Sequence, residues 1–322
     1  MNQNQEEQGT ENQDEVYERL KASKFKQQKL PAWRPVPTIT STTITFISFG
    51  VIFILIGIII LIYSGKIQEY SIRYDNLKEC ENQDECDIKI KIDKKMKQPI
   101  MVYYQINKFY QNHRRYVKSK SDKQLNGKSF SLKEMKNSGD CAPAETNAEM
   151  NKKISMTNND LKDDDLAIPC GLIAKSFFND KYELYKNSIS NDNKIDIDEK
   201  NIAWQADKDI KYKNTNDLSK QWIDMTNEHF IVWMRPAGLP NFRKLWGRIR
   251  EDLDEGDYVI HIENNYDVSD FKGEKKFVLS TVNAFGGKNN FLGLSYIIVG
   301  GVCLILAVIF LIGYNFHQKK EK

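Results

Sequence analysis

The chain lacks the signatures of the common reaction centres. It contains no Gly-x-Ser-x-Gly, no His-Glu-x-x-His and no Gly-x-x-x-x-Gly-Lys. A nucleophile elbow, a zincin helix and a phosphate-cradling loop are therefore not written into it. No Cys-x-x-Cys occurs and the 4 histidines are scattered, so no ligand spacing for zinc is present. Asp163-Asp164-Asp165 lacks the ligand spacing and central glycine of a calcium loop and reads as a solvated acidic run. Neither a cofactor nor a metal is expected, and no enzyme activity. An excess of one charge is also missing: 47 Lys and Arg against 44 Asp and Glu give +3, of which +1 falls between residues 64 and 290. Such a balance excludes a nucleic-acid partner and a polybasic lipid clamp. No Asn-x-Ser/Thr glycosylation sequon occurs in that same region.

Charge is missing altogether from two stretches. Ile44 to Tyr63 is 20 residues without a charge, and Phe291 to Ile312 is 22. At about 1.5 Å per residue, each helix reaches roughly the 30 Å of a bilayer's hydrocarbon core. Neither shows a polar face, as a core helix of a soluble protein would. About 43 residues precede the first run, too many for a signal peptide. The mean hydropathy is nevertheless −0.58, so the stretch between the runs is decidedly soluble. The expected layout is an N-terminal arm over 1–43, a span over 44–63, one large domain over 64–290, a second span over 291–312 and a tail over 313–322. Gly50, Gly57, Gly300 and Gly301 offer places for close contact between helices.

Four of the five cysteines, Cys80, Cys86, Cys141 and Cys170, lie in the first half of the large loop; Cys303 lies in a span. An even set there, with none in either tail, fits an oxidising compartment. The loop is therefore expected in the lumen or outside the cell, with both tails cytosolic. Four cysteines allow three pairings; nearness in sequence favours Cys80–Cys86 and Cys141–Cys170.

Residues 1 to 18 are acidic, rich in Asn and Gln, and read as disordered. The next segment turns basic and aromatic, ending in Phe25-Lys-Gln-Gln-Lys-Leu30-Pro31-Ala-Trp33-Arg34-Pro35. It fits either lipid head groups or, because prolines stiffen an apolar-studded strip, a protein groove. Beyond the first span, Asp87 to Asp93 alternates isoleucine with lysine as a half-buried strand does. Further strands are expected over Pro99–Tyr104, Phe230–Met234, Tyr258–Ile262 and Lys276–Val282, and a helix over Phe109–Lys118, with a long irregular insertion over 119–168. The fold class is a two-span α-helical membrane protein with a large, β-rich, antiparallel sandwich-like and disulfide-bonded ectodomain. His113-Arg114-Arg115 is a candidate for an anion or lipid head group, against a packed histidine beside two solvated arginines. Trp33, Trp233, Phe242 and Trp246 are candidate aromatic anchors for a partner, or else core.

Five segments together resemble one family: FKQQKLPAWRP (25–35), NKFYQNHRRYVKSK (107–120), PCGLIAKSFFND (169–180), FIVWMRPAGLPNFRKLWGRIR (230–250) and GGKNNFLG (286–293). This set, in this order, is similar to the cell division control protein 50 family, also called the ligand-effect modulator family. The resemblance implies a non-catalytic β-subunit in a heterodimer with a type IV P-type ATPase, the α-subunit that moves phospholipid to the cytosolic leaflet. It implies a role in leaving the endoplasmic reticulum and in the transport cycle. The expected home is an endoplasmic reticulum, Golgi, endosomal or plasma membrane. Membrane phospholipid is the other expected contact. Partner-binding residues are then expected at Phe25, Leu30, Pro31, Trp33, Arg34, His113, Arg114, Arg115, Trp233, Arg235, Phe242 and Trp246. The cysteine pairs fit the family's disulfides, although many relatives carry an additional pair and a glycosylation sequon. Pro236, after Trp-Met-Arg, departs from the family's motif. The rival readings are a two-span ion-channel subunit, which the charge-free spans disfavour, and a trafficking chaperone without an ATPase.

Overall fold

The computed structural model describes residues 16–29, 37–81 and 83–320, the last four of these without their side chains. Two long helices, Ile39–Gly65 and Asn290–Lys320, carry the charge-free runs and extend past them. In the most apolar window of each, only 17% and 11% of residues are buried. A core helix of a soluble protein would be mostly buried, so these two have the exposure of membrane spans.

What little the spans bury is small. On the first helix the buried positions are Thr43, Gly50, Gly57, Ile60 and Ser64; on the second they are Gly293, Gly300 and Ala307. Most recur every seven residues. A methyl group added at Gly300 would lie 2.8 Å from the Gly50 carbonyl oxygen, and one at Gly293 would lie 3.1 Å from that of Gly57. Glycine at these positions lets backbone meet backbone, which is how helices associate where water does not drive them together. Phe46 and Phe310 stack nearby at 5.7 Å. Gly301, by contrast, faces open space.

Between the spans lies a sandwich of two four-stranded antiparallel sheets. Its strands are β1 (Glu69–Arg73), β2 (Glu85–Ile92), β3 (Ile100–Asn107), β4 (Lys181–Lys186), β5 (Lys194–Ile195), β6 (Phe242–Ile249), β7 (Gly256–Glu263) and β8 (Glu274–Thr281). One sheet runs β1-β8-β3-β6 and the other β2-β7-β4-β5. The expected alternation holds in β2, where Cys86, Ile88, Ile90 and Ile92 turn inward, and in β3, where Ile100, Val102, Tyr104 and Ile106 do. Tyr182 of β4 bridges the layers, its ring 5.0 Å from Phe277 and 5.1 Å from Trp246.

A polar knot sits among these rings. Buried Lys275 meets buried Asp180 at 2.7 Å, and Asp180 also accepts from the Tyr74 hydroxyl at 2.6 Å and the Tyr266 amide at 2.6 Å. Lys275 donates further to Asn264 at 2.6 Å and to the Tyr266 carbonyl. All three ammonium protons and both carboxylate oxygens are engaged, which is what makes a buried ion pair tolerable. Cys80 is bonded to Cys86, and Cys141 to Cys170. Beside the second bridge, Gly171 has φ 103°, and a Cβ there would lie 2.2 Å from the Ser119 carbonyl oxygen; only glycine fits.

Several elements differ from expectation. Phe230–Met234 is not a strand: Glu228–Trp233 is a helix, capped by the Asn227 side chain, which accepts from the amides of His229 and Phe230. The apolar run has no period because Phe230, Ile231 and Trp233 are all buried. The helix expected over Phe109–Lys118 shrinks to Arg114–Lys118, with His113 as its N-cap. The stretch 119–168 holds three short helices, Asp122–Leu125, Leu132–Ser138 and Asn147–Met150. Capping boxes at Ser131/Glu134 and Thr146/Glu149 start the last two. Residues 16–18, within the segment expected to be disordered, open a helix over 16–22; residues 1–15 lie outside the described ones.

Candidate interaction surface

The structure scatters the residues named from sequence. Phe25 is 74% exposed. Leu30, Pro31, Trp33 and Arg34 lie outside the described residues. His113, Arg114 and Arg115 are exposed on one turn. Three of the aromatic candidates, Trp233, Phe242 and Trp246, are not on a surface. Trp233 is fully buried, donating its indole N–H to the Ile173 carbonyl at 2.8 Å, and Phe242 and Trp246 are buried with it. A side chain in that position offers no area to a partner, and these three build core instead.

They do, however, frame a group that sequence reasoning passed over. Lys244 points inward from β6 and is buried. Its ammonium donates to the carbonyls of Val232, Trp233 and Arg235 at 3.1, 2.7 and 2.7 Å, closing the C-terminal end of the helix Glu228–Trp233. It sits 4.9 Å from the Trp233 ring centre and 5.6 Å from that of Phe242. Burial without a carboxylate partner pushes its pKa down to about 7.

The chain held by Lys244 carries Arg235 to the surface. Its guanidinium lies over Trp204, 3.9 Å from the ring centre, and its Nε donates to Asp207. Asp207 is buried and also meets Lys211 at 2.9 Å. The Arg235 hydrogen bond, foremost, holds the Asp207 carboxyl below its usual range. Trp204 itself is 66% exposed, yet its backbone is fixed. Glu228 accepts from the amides of Asn201 and Ala203, both at 3.0 Å, and from Lys208 at 2.7 Å. Trp204 caps the helix Gln205–Ile210, whose last residue, Ile210, is 65% exposed.

Trp204 and Arg235 form a ridge beside two cavities, Arg235 lining both and Trp204 the smaller. One, of about 610 Å³, is lined by Lys120, Asp122, Lys211 and Tyr212 among others. The other, of about 370 Å³, is more apolar, lined by Ile202, Ala203, Val232 and Leu245 with Arg235 shared. Tyr212 is only 6% exposed, and its hydroxyl has no hydrogen-bond partner among the described residues. Such a ridge is not legible in sequence, because nothing in the letters separates an exposed tryptophan from a core one. Among the described residues, no three His, Cys, Asp or Glu side chains converge to hold a metal.

Fold and surface together define a two-span membrane protein whose large disulfide-bonded sandwich presents shaped surface. The chain belongs to the LEM3 (ligand-effect modulator 3) family / CDC50 family, whose model matches residues 60–320. It is 40% identical to ALA-interacting subunit 3 of Arabidopsis thaliana, over 92% of this chain and 86% of that protein. It is 36% identical to Cell cycle control protein 50A of Mus musculus, over 89% of this chain and 87% of that one. Human Cell cycle control protein 50B is 30% identical, over 92% and 94%.

Proposed function

We propose that this chain is the non-catalytic accessory subunit of a phospholipid-translocating P-type ATPase, acting in that enzyme's exit from the endoplasmic reticulum and in its transport cycle. The observation that carries the reading is family membership along nearly the whole chain, with a plant relative named as an interacting subunit. The architecture supports it. Two spans put both tails on one side, and the disulfides favour an oxidising space for the sandwich. The sandwich is then lumenal or extracellular. The arm Phe25 to Pro35 lies on the cytosolic face, where Leu30 and Trp33 meet the ATPase and Pro31 and Pro35 limit the entropy lost in doing so.

Affinity purification of the full chain in mild detergent tests the reading. A P-type ATPase is expected in near-equal amount, with lipid-stimulated ATP hydrolysis in the eluate. Recovery of the chain alone, or of pore-forming subunits, would reject it.

A further inference from the structure

The ridge of Trp204 and Arg235 has the properties of a binding hot spot before anything binds. Tryptophan and arginine are the residue types that dominate interface energetics. Arg235 is held in advance by Asp207 and by the ring beneath it, and Glu228 clamps the backbone that leads into Trp204, whose indole the guanidinium covers. Ordering them on binding therefore loses little entropy. An exposed indole held rigid has no role in the core of the sandwich. Ile210, exposed at the end of the same short helix, extends the apolar edge.

The groups left over in the larger cavity say what fits. Its two carboxylates are already engaged, Asp207 by Arg235 and Lys211, and Asp122 by Lys120 at 2.6 Å. Three cations stand against those two acids. Donor capacity remains in the Tyr212 hydroxyl, the outer nitrogens of Arg235 and the spare protons of the lysines. An acceptor carrying one negative charge balances that wall. The smaller cavity offers mainly apolar lining. A site for an anion and an apolar site that share Arg235, with Trp204 beside the second, match alternate side chains of an extended polypeptide better than a head group on a flat bilayer, where unpaired lysines would be expected.

We infer that the Trp204–Arg235 ridge docks an extended segment of the ATPase subunit, which sets an Asp or Glu side chain beside Arg235 and Tyr212 and an apolar side chain against Trp204 and Ile210. This rests on the function proposed above and adds the place and chemistry of the contact. Lys244 is then a positioning residue: it holds the carbonyls from Val232 to Arg235 and so fixes the height of the guanidinium on the ring.

The test is copurification of the tagged full chain with its ATPase, followed by dilution and washing. Trp204→Ala combined with Ile210→Ser removes two exposed side chains, so folding is not at stake; unchanged thermal unfolding confirms that. ATPase retention is expected to fall at least tenfold. Tyr212→Phe, which deletes only the unpartnered hydroxyl, is expected to reduce it roughly threefold or more. If the unaltered chain brings down no ATPase, the functional reading fails and the inference with it. If it does and the double variant retains the ATPase equally, the inference alone is overturned. Adding short-chain phosphatidylserine gives a third outcome. A fluorescence change lost in Trp204→Phe, with ATPase retention unaltered in the double variant, assigns the ridge to a lipid head group and overturns the polypeptide.

Discussion

The two halves of this molecule are held together by different physics. The sandwich buries large side chains, Trp233, Tyr74, Tyr258, Phe230 and Phe277 among them, and adds a buried ion-pair knot and two cross-links. The spans bury chiefly glycine, threonine, serine and alanine, and leave their large side chains outward. The sandwich is driven by removal of apolar surface from water. In lipid that drive is absent, so the helices gain only from close contact, and close contact needs small residues. Large inside and small outside is thus reversed between the two regions, and each is right for its solvent.

The contrast breaks hardest at the disulfides, which only the sandwich has. In the chain-entropy model a bridge across 29 residues contributes about 3.6 kcal/mol and one across 6 residues about 2.2 kcal/mol. Cys141→Ser is therefore expected to lower thermal stability more than Cys80→Ser. Tryptophan fluorescence is the right probe, because none of the 5 tryptophans lies in a span. Equal losses from the two variants would show that local packing, not loop closure, sets the contribution.

Titration sharpens the same contrast, since the charge-free runs have nothing to match it. The folded pKa of Lys244 is about 7, against an ordinary lysine value of 10.5. Between those limits the unfolded chain binds the proton that the folded one has lost. Stability therefore rises with pH across that window, by up to about 1.4 kcal/mol per unit, while below about pH 7 the whole penalty of burying the cation is present. Burial also lowers Lys275, which acts in the same direction. Melting of the purified protein in detergent should rise by roughly 2 kcal/mol in stability from pH 7 to pH 8.5. Lys244→Met should flatten most of that slope and leave the part due to Lys275. A slope unchanged in Lys244→Met would refute the assignment.

The regions also differ in how much the sequence reveals. The spans announce themselves by missing charge, and Gly50, Gly57 and Gly300 stand out as contact points. Gly301 looks the same in the letters and faces open space, because helix rotation is decided by the partner. In the sandwich, β2 is legible since Ile88, Ile90 and Ile92 alternate with lysine. β6 is not. Lys244 occupies an inward position, and pairing with β3 shifts register between Val102 and Tyr103, so Trp246 and Gly247 are both buried and the alternation is lost. The helix Glu228–Trp233 hides for the opposite reason, being apolar with no solvated face to give a period. Of the surface residues, Arg235 was marked only by its motif, and Trp204, Ile210 and Tyr212 gave no signal at all.

The smallest expected effect tests the spans themselves. Gly50 meets Gly300, and Gly57 meets Gly293, so one step of seven further along sets buried Thr43 opposite buried Ala307. In a Cys303→Ser background, Thr43→Cys with Ala307→Cys should form an oxidative cross-link in good yield. Adding Gly300→Leu forces a side chain against the Gly50 carbonyl and Ile54. Overpacking of this kind costs about 1–3 kcal/mol and must separate the helices. Cross-linking should drop several-fold, while tryptophan-detected melting of the sandwich moves by no more than a couple of degrees, roughly the shift expected for well under 1 kcal/mol. An unchanged cross-link would mean that the small residues are incidental. A collapse of the sandwich along with the cross-link would mean that the two regions, for all their different physics, unfold as one.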